Sequence, residues 1–353
     1  MEGLIAAVLA GGRGERLGHL TADMPKPLVP YAGSCRMIDF SLENCRRSGV
    51  TETVLMAKHL EDPLAEYLDA QWSSSLRLNL GHSVPGGQAI IEEKGTADAL
   101  INNRPFLDQD WTRDILVLHS DHIYNFDYRP MYAHHLERRA ALTIGYQRIP
   151  REFVSLFGMT EFDASGNLRA FVEKPVNPTS DCVFTAVAIF NKDIVYRYLG
   201  DLSAGEWKHD ISFDLIPAML EQGEVIVGFP FEDYWEDIGT SARYHSAHMR
   251  LIEDSSHLQA PITLSGARDM VRTSGAKKDQ VIMPGALVGS EFSARRSCLF
   301  PGCTIGRTAH IENSVVLPGS MIDEGEYLHG MLVSPAGRTL IEGERTQIEG
   351  CHG

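Results

Sequence analysis

Short apolar runs alternate with longer amphipathic stretches over the first 240 or so residues of the chain. The apolar runs lie at 4–9, 53–56, 115–118, 141–146 and 224–229. Between them lie amphipathic stretches such as Ile38 to Ser48 and Glu61 to Tyr67. Apolar runs without polar alternation are typical of strands buried on both faces, and helices between such strands favour parallel pairing. The pattern predicts an α/β fold with a mostly parallel sheet that helices cover on both faces.

The last part of the chain repeats with a fixed period. Its repeated prolines are spaced 17 residues apart and follow two or three mostly apolar residues; they are Pro284, Pro301, Pro318 and Pro335. Short strands and turns at a fixed period are typical of a solenoid. Coils this short resemble the left-handed parallel β-helix of hexapeptide repeats. We therefore expect a sheet domain over residues 1–242, a connector over 243–274 that begins with a helix from Arg243 to Ala260, and a β-helix domain over 275–353.

A solenoid of three or four coils leaves apolar surface and strand edges open at its ends. We expect the strand positions around Ile282, Leu299, Val316 and Val333 to face one core. We also expect the sheet domain, or a neighbouring subunit of a homo-oligomer, to cover the ends of the solenoid.

Composition narrows the class of protein. The chain has 353 residues, 43% of them apolar, and a net charge of −15, which indicates a globular protein and disfavours binding to nucleic acid or an anionic membrane. The N-terminal apolar run is far shorter than the roughly 20 residues of a membrane span. The six cysteines form no CxxC pair and have no zinc-site spacing. We interpret them as reduced thiols and expect a cytoplasmic protein.

A glycine-rich turn directly after the first strand is the strongest chemical signal. Gly11, Gly12 and Gly14 allow backbone N–H groups to approach an anion closely, and Arg16 adds a planar fork that suits phosphate oxygens. Ten residues later, Lys26 lies between two rigid prolines. The sequence therefore predicts a phosphate-binding cleft with positive charge at its floor.

These and later motifs resemble the sugar-1-phosphate nucleotidyltransferases, in the ADP-glucose pyrophosphorylase (glucose-1-phosphate adenylyltransferase) branch. Besides the glycine turn and Lys26-Pro27, the matching segments lie at 36–44, 95–99, 121–124, 171–175, 209–217 and 234–240. The resemblance covers most of the chain. It implies a Rossmann-like nucleotidyltransferase domain that is followed by a short left-handed β-helix, and substrates that are a nucleoside triphosphate and a sugar 1-phosphate.

The resemblance also assigns roles on the nucleotide side of the site. Arg16 and Lys26 would be the catalytic cations. The remaining residues of this side would contact the phosphates or the base, and they are Gly11, Gly12, Gly14, Gln88, Gly95 and Thr96.

On the acceptor side, the resemblance makes Lys174 the residue that binds the sugar phosphate and Glu173 a contact to a sugar hydroxyl. Asp121 and Asp237 would hold Mg²⁺, because this ion prefers hard oxygen ligands. The attacking phosphate oxygen is already an anion, so the reaction needs positioning and charge neutralisation rather than a protein base. Asp121 follows the apolar run 115–118, and we expect Asp237 in a loop after another strand.

Several segments depart from the family pattern and leave the substrates open. The run at 184–188 is more apolar than the family's sugar-binding run, acidic Glu92 and Glu93 replace an aromatic pair, and the segment 22–25 lacks the basic cluster of the allosteric enzymes. The chain then resembles a divergent paralogue. One alternative is guanylyl transfer from GTP to a sugar-like cyclitol phosphate, valienol 1-phosphate, in antibiotic biosynthesis.

A second alternative is a non-catalytic regulatory subunit that keeps the fold. Such a subunit is expected to lose one of the charged residues of the chemistry. All five are present, namely Arg16, Lys26, Asp121, Lys174 and Asp237. The sequence therefore favours an enzyme.

Overall fold

The computed structural model describes residues 1–58, 61–81, 92–232, 234–253 and 280–341 of the chain. Every strand predicted for the N-terminal part is present, with ends that lie within two residues of the predicted ones. The strands of this part are β1 (Leu4–Ala10), β2 (Pro30–Tyr31), β3 (Cys35–Arg36), β4 (Glu52–Ala57), β5 (Arg77–Asn79), β6 (Asp114–His119), β7 (His122–Tyr124), β8 (Leu142–Arg148), β9 (Gly158–Phe162), β10 (Leu168–Glu173), β11 (Cys182–Asn191), β12 (Ile226–Pro230) and β13 (Trp235–Asp237).

The main sheet is mostly parallel, as predicted. Among the described residues it has nine strands, in the order β12-β8-β11-β6-β1-β4-β5, and the β9–β10 hairpin joins it along β11. β1 pairs in parallel with both β4 and β6. β11 is antiparallel to its neighbours β6 and β8, and only β10 shares its direction. This insertion of one reversed strand into a parallel sheet was not predicted.

Helices cover both faces of the sheet. They are α1 (Met37–Ser48), α2 (Glu61–Trp72), α3 (Thr96–Asn102), α4 (Arg104–Leu107), α5 (Tyr128–Glu137), α6 (Lys192–Ser203), α7 (Ile216–Glu221) and α8 (Ser241–Glu253). Successive β1 residues alternate between two apolar cores, with Ala6 and Val8 in one core and Ile5 and Ala7 in the other. None of the helices in the described ranges is long and apolar enough to cross a bilayer.

The sequence of α1 accounts for both of its ends. Asp39 in its first turn accepts a hydrogen bond from the backbone N–H of Arg36 at 2.7 Å, and Gly49 ends the helix with φ +77°. The same buried carboxylate accepts hydrogen bonds from Tyr67 at 2.6 Å and Trp72 at 2.8 Å, which tie α2 to α1. Asp39 therefore joins the first turn of α1 to two side chains of α2.

The C-terminal strands stack with the predicted 17-residue period. They form three parallel sheets, β14-β17-β20-β23, β15-β18-β21 and β16-β19-β22, and β24 pairs antiparallel with β23. Cys298 pairs with Val315, and Val315 pairs with Leu332. The strands are β14 (Gln280–Ile282), β15 (Leu287–Val288), β16 (Ser293–Arg295), β17 (Ser297–Leu299), β18 (Thr304–Ile305), β19 (His310–Glu312), β20 (Val315–Val316), β21 (Met321–Ile322), β22 (Tyr327–His329), β23 (Met331–Ser334) and β24 (Gly337–Leu340).

Alternate strand residues of the repeats face two different cores. Leu299, Val316 and Val333 are buried in one cluster inside the repeats, as expected, whereas the side chain of Ile282 lies outside the described residues. Cys298, Val315 and Leu332 belong to a second cluster, which also contains Leu17, Tyr31 and Tyr244 of the N-terminal part. The sheet domain therefore covers one face of the repeats.

The predicted connector begins with α8, which starts at Ser241 and ends at Glu253. Residues 254–274 of the connector lie outside the described ranges. α8 packs between the two parts: its buried His248 contacts the rings of Tyr31 at 4.6 Å and Phe300 at 5.4 Å between ring centres. The helix is thus a shared element of both cores rather than a free linker.

Candidate active site

A cleft of about 630 Å³ lies at the carboxyl ends of β1 and β6. This is the edge at which parallel sheets place their ligands. Residues 9–16 of the glycine turn, Lys26, residues 93–96 and residues 119–121 line the cleft, and Gly239 closes it on the side of β13. The structure thus brings together most of the residues that the sequence placed on the nucleotide side.

The three glycines of the turn serve different purposes. Gly14 has φ +71°, and a Cβ there would lie 2.8 Å from Thr21 Cγ2 and 3.2 Å from Lys26 Cβ, so a side chain does not fit. A Cβ at Gly11 would meet Lys58 Cβ at 3.2 Å. Gly12 has no heavy atom within 4 Å of its Cβ position, so its backbone is open to the cleft.

Lys26 and Asp121 form an ion pair on the floor of the cleft. Lys26 is 8% exposed, and its Nζ donates to Oδ2 of Asp121. Burial opposes the charge of Asp121, but Lys26, His122 and His119 together outweigh burial and hold the pKa of this carboxyl well below its usual range. Asp121 is therefore a carboxylate at neutral pH, and its Oδ1 faces the two histidines.

Asp237 lies opposite Asp121. It is the last residue of β13 rather than a loop residue, and the antiparallel pairing of β13 with β7 places it beside His122. Its Oδ2 accepts from Nη1 of Arg243 at 2.6 Å, and its Oδ1 lies 3.8 Å from Nε2 of His122. A Cβ at Gly239 would lie 3.4 Å from Oδ1 of Asp237 and 3.5 Å from Nη2 of Arg16, so Arg16 also reaches this corner.

The donor set of this corner suits a divalent cation. Lys26 binds one oxygen of Asp121, and Arg243 binds one oxygen of Asp237. The other oxygens of the two carboxylates lie 3.9 and 3.8 Å from Nε2 of His122. Carboxylate oxygens of this kind fit Mg²⁺. Within the described ranges, His119, Asp121 and His122 also place their donor atoms within 4.8 Å of one another. Burial, reinforced by His122, lowers the pKa of His119 to about 4.

Gly95 and Thr96 contact residues 209–211. A Cβ at Gly95 would lie 2.1 Å from the backbone oxygen of His209, so the close approach of two backbones requires glycine here. Thr96 Oγ1 donates to Oδ2 of Asp210 at 3.0 Å and accepts from the backbone N–H of Ile211 at 3.0 Å. Gln88 lies outside the described residues.

Glu173 and Lys174 do not line the cleft. Lys174 has a 57% exposed side chain with its Nζ 3.6 Å from Oε1 of Glu173, and its backbone adopts φ +49°. Burial raises the pKa of Glu173; Lys174 opposes that rise and Asp210 adds to it. Asp210, which Thr96 contacts in the cleft, thus also affects the charge of Glu173.

Comparison with known proteins identifies the class of this cleft. Residues 5–254 match the family model described as Nucleotidyl transferase. The chain belongs to this family. It fits the branch that acts on sugar 1-phosphates, and it is an enzyme that transfers nucleotidyl groups, as the sequence motifs indicated.

Three relatives show which nucleotidyltransferases it is similar to. It is 42% identical over 304 residues to the valienol-1-phosphate guanylyltransferase of Streptomyces hygroscopicus subsp. limoneus, with 81% of this chain and 80% of the relative covered. It is 35% identical over 266 residues to the glucose-1-phosphate adenylyltransferase of Halalkalibacterium halodurans, with 72% and 68% covered. The glucose-1-phosphate adenylyltransferase of Bacillus subtilis is 34% identical over 262 residues, with 72% and 69% covered.

Several residues of the nucleotidyltransferase cleft were not selected from the sequence. His119 had no predicted role, although it follows the apolar run 115–118 and stands two residues before the predicted metal ligand Asp121. Arg243 was assigned to the connector, six residues after Asp237, yet it pairs with that carboxylate. Lys58 lines the cleft from the end of β4 and carried no motif. For His119 and Arg243, closeness in sequence to a motif residue was the one signal that could have indicated a place in the cleft.

Proposed function

We propose that this nucleotidyltransferase transfers a guanylyl group from GTP to valienol 1-phosphate, or to a closely similar cyclitol phosphate, and releases pyrophosphate. The observation that carries the proposal is the convergence of the open backbone at Gly12, the Lys26–Asp121 pair and the Asp237 carboxylate in one cleft. Such a cleft offers backbone donors, fixed cations and oxygen ligands to a triphosphate. The 42% identity to a valienol-1-phosphate guanylyltransferase supports the choice of substrates.

In the proposed reaction, a phosphate oxygen of the acceptor attacks the α-phosphorus of GTP, and the bond to the bridging oxygen of the β-phosphate breaks. The attacking oxygen is already anionic, so the chain has no proton to remove. Its task is to orient the two phosphates and to neutralise the charge that builds up on the departing pyrophosphate. Arg16 and Lys26 supply fixed positive charge, and the loop at Gly11, Gly12 and Gly14 supplies backbone donors.

Asp121 and Asp237 would hold Mg²⁺, as the resemblance implies. When bound, the ion supplies positive charge that offsets the triphosphate. Nε2 of His122 lies 3.9 Å from Oδ1 of Asp121 and 3.8 Å from Oδ1 of Asp237, while Lys26 and Arg243 hold their other oxygens. The chain thus fixes one oxygen of each carboxylate before any cation enters.

The end of the cleft at residues 93–96 is the proposed base site, together with Gln88. Glu93 accepts from Nδ2 of Asn102 at 3.0 Å through Oε1, and its backbone oxygen accepts from Nζ of Lys58. These contacts fix a carboxylate-bearing segment at the cleft. Guanine presents two adjacent N–H donors on its pairing edge, and adenine presents one amino group. A carboxylate accepts hydrogen bonds but does not donate them, so it favours guanine.

Lys174 and Glu173 are the proposed acceptor contacts. A cyclitol has carbon where a hexose has its ring oxygen, and a carbon needs no hydrogen-bond partner. The run at 184–188 is more apolar than the family's sugar-binding run, which supports a cyclitol phosphate as the acceptor.

Transfer of an adenylyl group from ATP to glucose 1-phosphate is the second candidate. It is supported by the 34–35% identity to glucose-1-phosphate adenylyltransferases. The base of the nucleotide distinguishes the two candidates, because both reactions use the same phosphate chemistry.

We further propose that residues 1–242 form the nucleotidyltransferase domain, that 243–274 connect it to the tail, and that 275–353 form a left-handed β-helix. The three parallel sheets with a 17-residue register support the β-helix. The apolar side chains that stay exposed on the repeats, such as Leu287 and Met321, support a homo-oligomer. The five cysteines within the described ranges are free, which supports a cytoplasmic location.

A matrix of substrates tests this proposal. Pyrophosphate release is measured for GTP, ATP, CTP and UTP against valienol 1-phosphate and glucose 1-phosphate, with Mg²⁺. We expect GTP with valienol 1-phosphate to give the highest kcat/KM, by at least about tenfold. Highest activity with ATP and glucose 1-phosphate would select the second candidate, and no release with any pair would contradict both candidates.

Two variants link the activity to the cleft. Asp121→Asn is expected to lower kcat by about a hundredfold or more, because one charge-stabilising group is lost. Asp127→Asn is the matched control: Asp127 caps α5 outside the cleft, and asparagine caps helices equally well. Equal activity of the two variants would remove Asp121 from the proposed metal site.

A further inference from the structure

Trp235 fixes the hydrogen position on His122. The Nε1 atom of Trp235 lies 3.2 Å from Nδ1 of His122. An indole N–H can only donate, so Nδ1 of His122 accepts and its Nε2 carries the hydrogen. That N–H faces Oδ1 of Asp121 at 3.9 Å and Oδ1 of Asp237 at 3.8 Å. His122 therefore has no lone pair on Nε2 for a metal ion.

His119 differs from His122 in this respect. Its ring stacks on that of His122, with ring centres 5.1 Å apart and an angle of 20° between the planes. Its Nδ1 lies 4.0 Å from Oδ1 of Asp121, and its side chain is 28% exposed to the cleft. No side chain in the described ranges forms a hydrogen bond with its ring nitrogens. An imidazole in this position offers a nitrogen lone pair at the metal corner.

We propose that His119 is a nitrogen ligand of the divalent cation at Asp121, so that the site gains affinity for transition metals relative to Mg²⁺. The inference rests on the proposed function, which places a cation at Asp121 and Asp237. Bonds of about 2.1 Å from one ion to Nδ1 and Oδ1 span up to about 4.2 Å, which covers the observed 4.0 Å between these atoms.

The chemistry of the ligands gives the direction of the preference. Mg²⁺ takes oxygen ligands and retains water in its remaining positions, whereas Mn²⁺ and especially Co²⁺ accept imidazole nitrogen readily. Replacing one water by His119 therefore adds more affinity for Co²⁺ than for Mg²⁺. A nitrogen donor beside Asp121 departs from the all-oxygen site that the family resemblance implied.

Pulsed electron paramagnetic resonance of bound Mn²⁺ tests the ligand directly. Full-length protein is loaded with Mn²⁺ and inorganic tripolyphosphate, which contains no nitrogen. The wild type and His122→Gln should show the ¹⁴N coupling of one imidazole. His119→Ser should bind Mn²⁺ without that coupling, and His119→Asn, which offers an oxygen of similar reach, should do the same. The exposed His329→Ser serves as the control and should match the wild type.

Calorimetry with the metal alone measures the preference. The ratio of the Mg²⁺ to the Co²⁺ dissociation constant should fall by about tenfold or more in His119→Ser, because loss of the imidazole lowers the affinity for Co²⁺ more than the affinity for Mg²⁺. His329→Ser should leave this ratio unchanged.

The two proposals fail in different ways. If Asp121→Asn binds Mn²⁺ as tightly as the wild type, the metal corner itself is wrong and the proposed function loses its cation. If binding depends on Asp121 but the wild type shows no ¹⁴N coupling, or His119→Ser retains both the coupling and the metal preference, the inference about His119 is overturned and the proposed function stands.

Discussion

The absence of a side chain at Gly12 leaves space in the cleft that the proposed reaction needs. No heavy atom lies within 4 Å of its Cβ position, so alanine fits the free protein. A methyl group there would still occupy the space through which a triphosphate reaches the backbone N–H groups. We expect Gly12→Ala to keep the melting temperature and to raise the KM for the nucleotide by about tenfold or more, as the loss of a charge-assisted contact would.

The control for Gly12 is Gly200, which lies in α6 and also has no heavy atom within 4 Å of its Cβ position. Gly200→Ala should leave KM unchanged and stabilise the helix by up to about 1 kcal/mol. A nucleotide KM that is unaffected by Gly12→Ala would show that the triphosphate does not approach this turn.

His248 makes the stability of the protein depend on pH. Burial lowers its pKa to about 3, against 6.5 for a free histidine. The unfolded chain then takes up a proton below pH 6.5 that the folded chain does not bind. The free energy of unfolding should fall with falling pH from about 6.5 downward, with a contribution of up to about 1.4 kcal/mol per pH unit from this residue.

Urea unfolding of His248→Gln at pH 8 and pH 5 measures this contribution. Glutamine can still donate to the backbone oxygen of Tyr244, which Nδ1 of His248 contacts at 2.9 Å, but it does not titrate. Between the two pH values the wild type should lose about 2 kcal/mol more than the variant. The exposed His310→Gln should behave as the wild type, and equal acid sensitivity of wild type and His248→Gln would contradict the assignment.

At the residue scale, motif residues were predictable and their partners were not. Lys26 and Asp121 are 95 positions apart, and their pairing depends on the end of β6 folding back onto the segment after the glycine turn. His119 had no predicted role, because nothing in its sequence neighbourhood shows that its ring faces His122. Such pairs are decided by geometry between distant segments.

At the element scale, the tail contacts the short helix that follows the glycine turn. This 3-10 helix, Glu15–Thr21, carries Arg16, and its His19 bonds through Nδ1 to Oγ of Ser334 at 2.6 Å. A Cβ at Gly337 would lie 3.1 Å from Cβ of His19, so β24 packs closely on the helix. The repeats therefore help to hold Arg16 at the cleft.

Removing this contact should affect nucleotide binding rather than chemistry. Ser334→Ala is expected to lower the free energy of unfolding by about 1 kcal/mol and to raise the nucleotide KM by up to about fivefold, with kcat nearly unchanged. Ser314→Ala is the control: its buried hydroxyl donates to the backbone oxygen of Glu312 at 2.7 Å and accepts from the backbone N–H of Met331 at 3.0 Å, so this variant loses hydrogen bonds within the repeats and keeps the contact with His19. If both variants raise KM equally, the effect is a general loss of stability and not a specific contact.

The five predicted strands and the mostly parallel sheet followed from the sequence, whereas β11 and its direction did not. The unalternated runs at 4–9 and 115–118 became β1 and β6, because buried strands in a covered sheet need apolar residues on both faces. β11 is equally apolar, yet it runs against β6. Composition carries no information on direction, which is set by how the β9–β10 hairpin returns the chain to the sheet.

At the scale of the whole molecule, the two parts of the chain share one apolar cluster. Leu17, Tyr31 and Tyr244 of the N-terminal part are buried together with Phe300 and Leu332 of the repeats. Truncation at residue 253 would expose this face to water. We expect the truncated chain to bind a dye for exposed apolar surface, to melt at a lower temperature and to aggregate.

The proposed homo-oligomer can be examined in the same experiment. Sedimentation of the full chain gives the assembly state, and the truncated chain should differ from it or precipitate. A truncated chain that is soluble, has the melting temperature of the full protein and retains full activity would show that the repeats are dispensable for both folding and assembly.

The sequence by itself determined the class of fold, the period of the repeats, the family and the residue types of the phosphate chemistry. These are local properties: apolar periodicity, turn residues and short motifs are complete within a few consecutive positions. Tertiary structure alone decided which charges meet. It paired Lys26 with Asp121 and Arg243 with Asp237, and it brought His119 to the metal corner. The reason is physical: an ion pair or a ligand set depends on distances of a few ångströms between segments far apart in the chain, and those distances exist only after the sheet has closed.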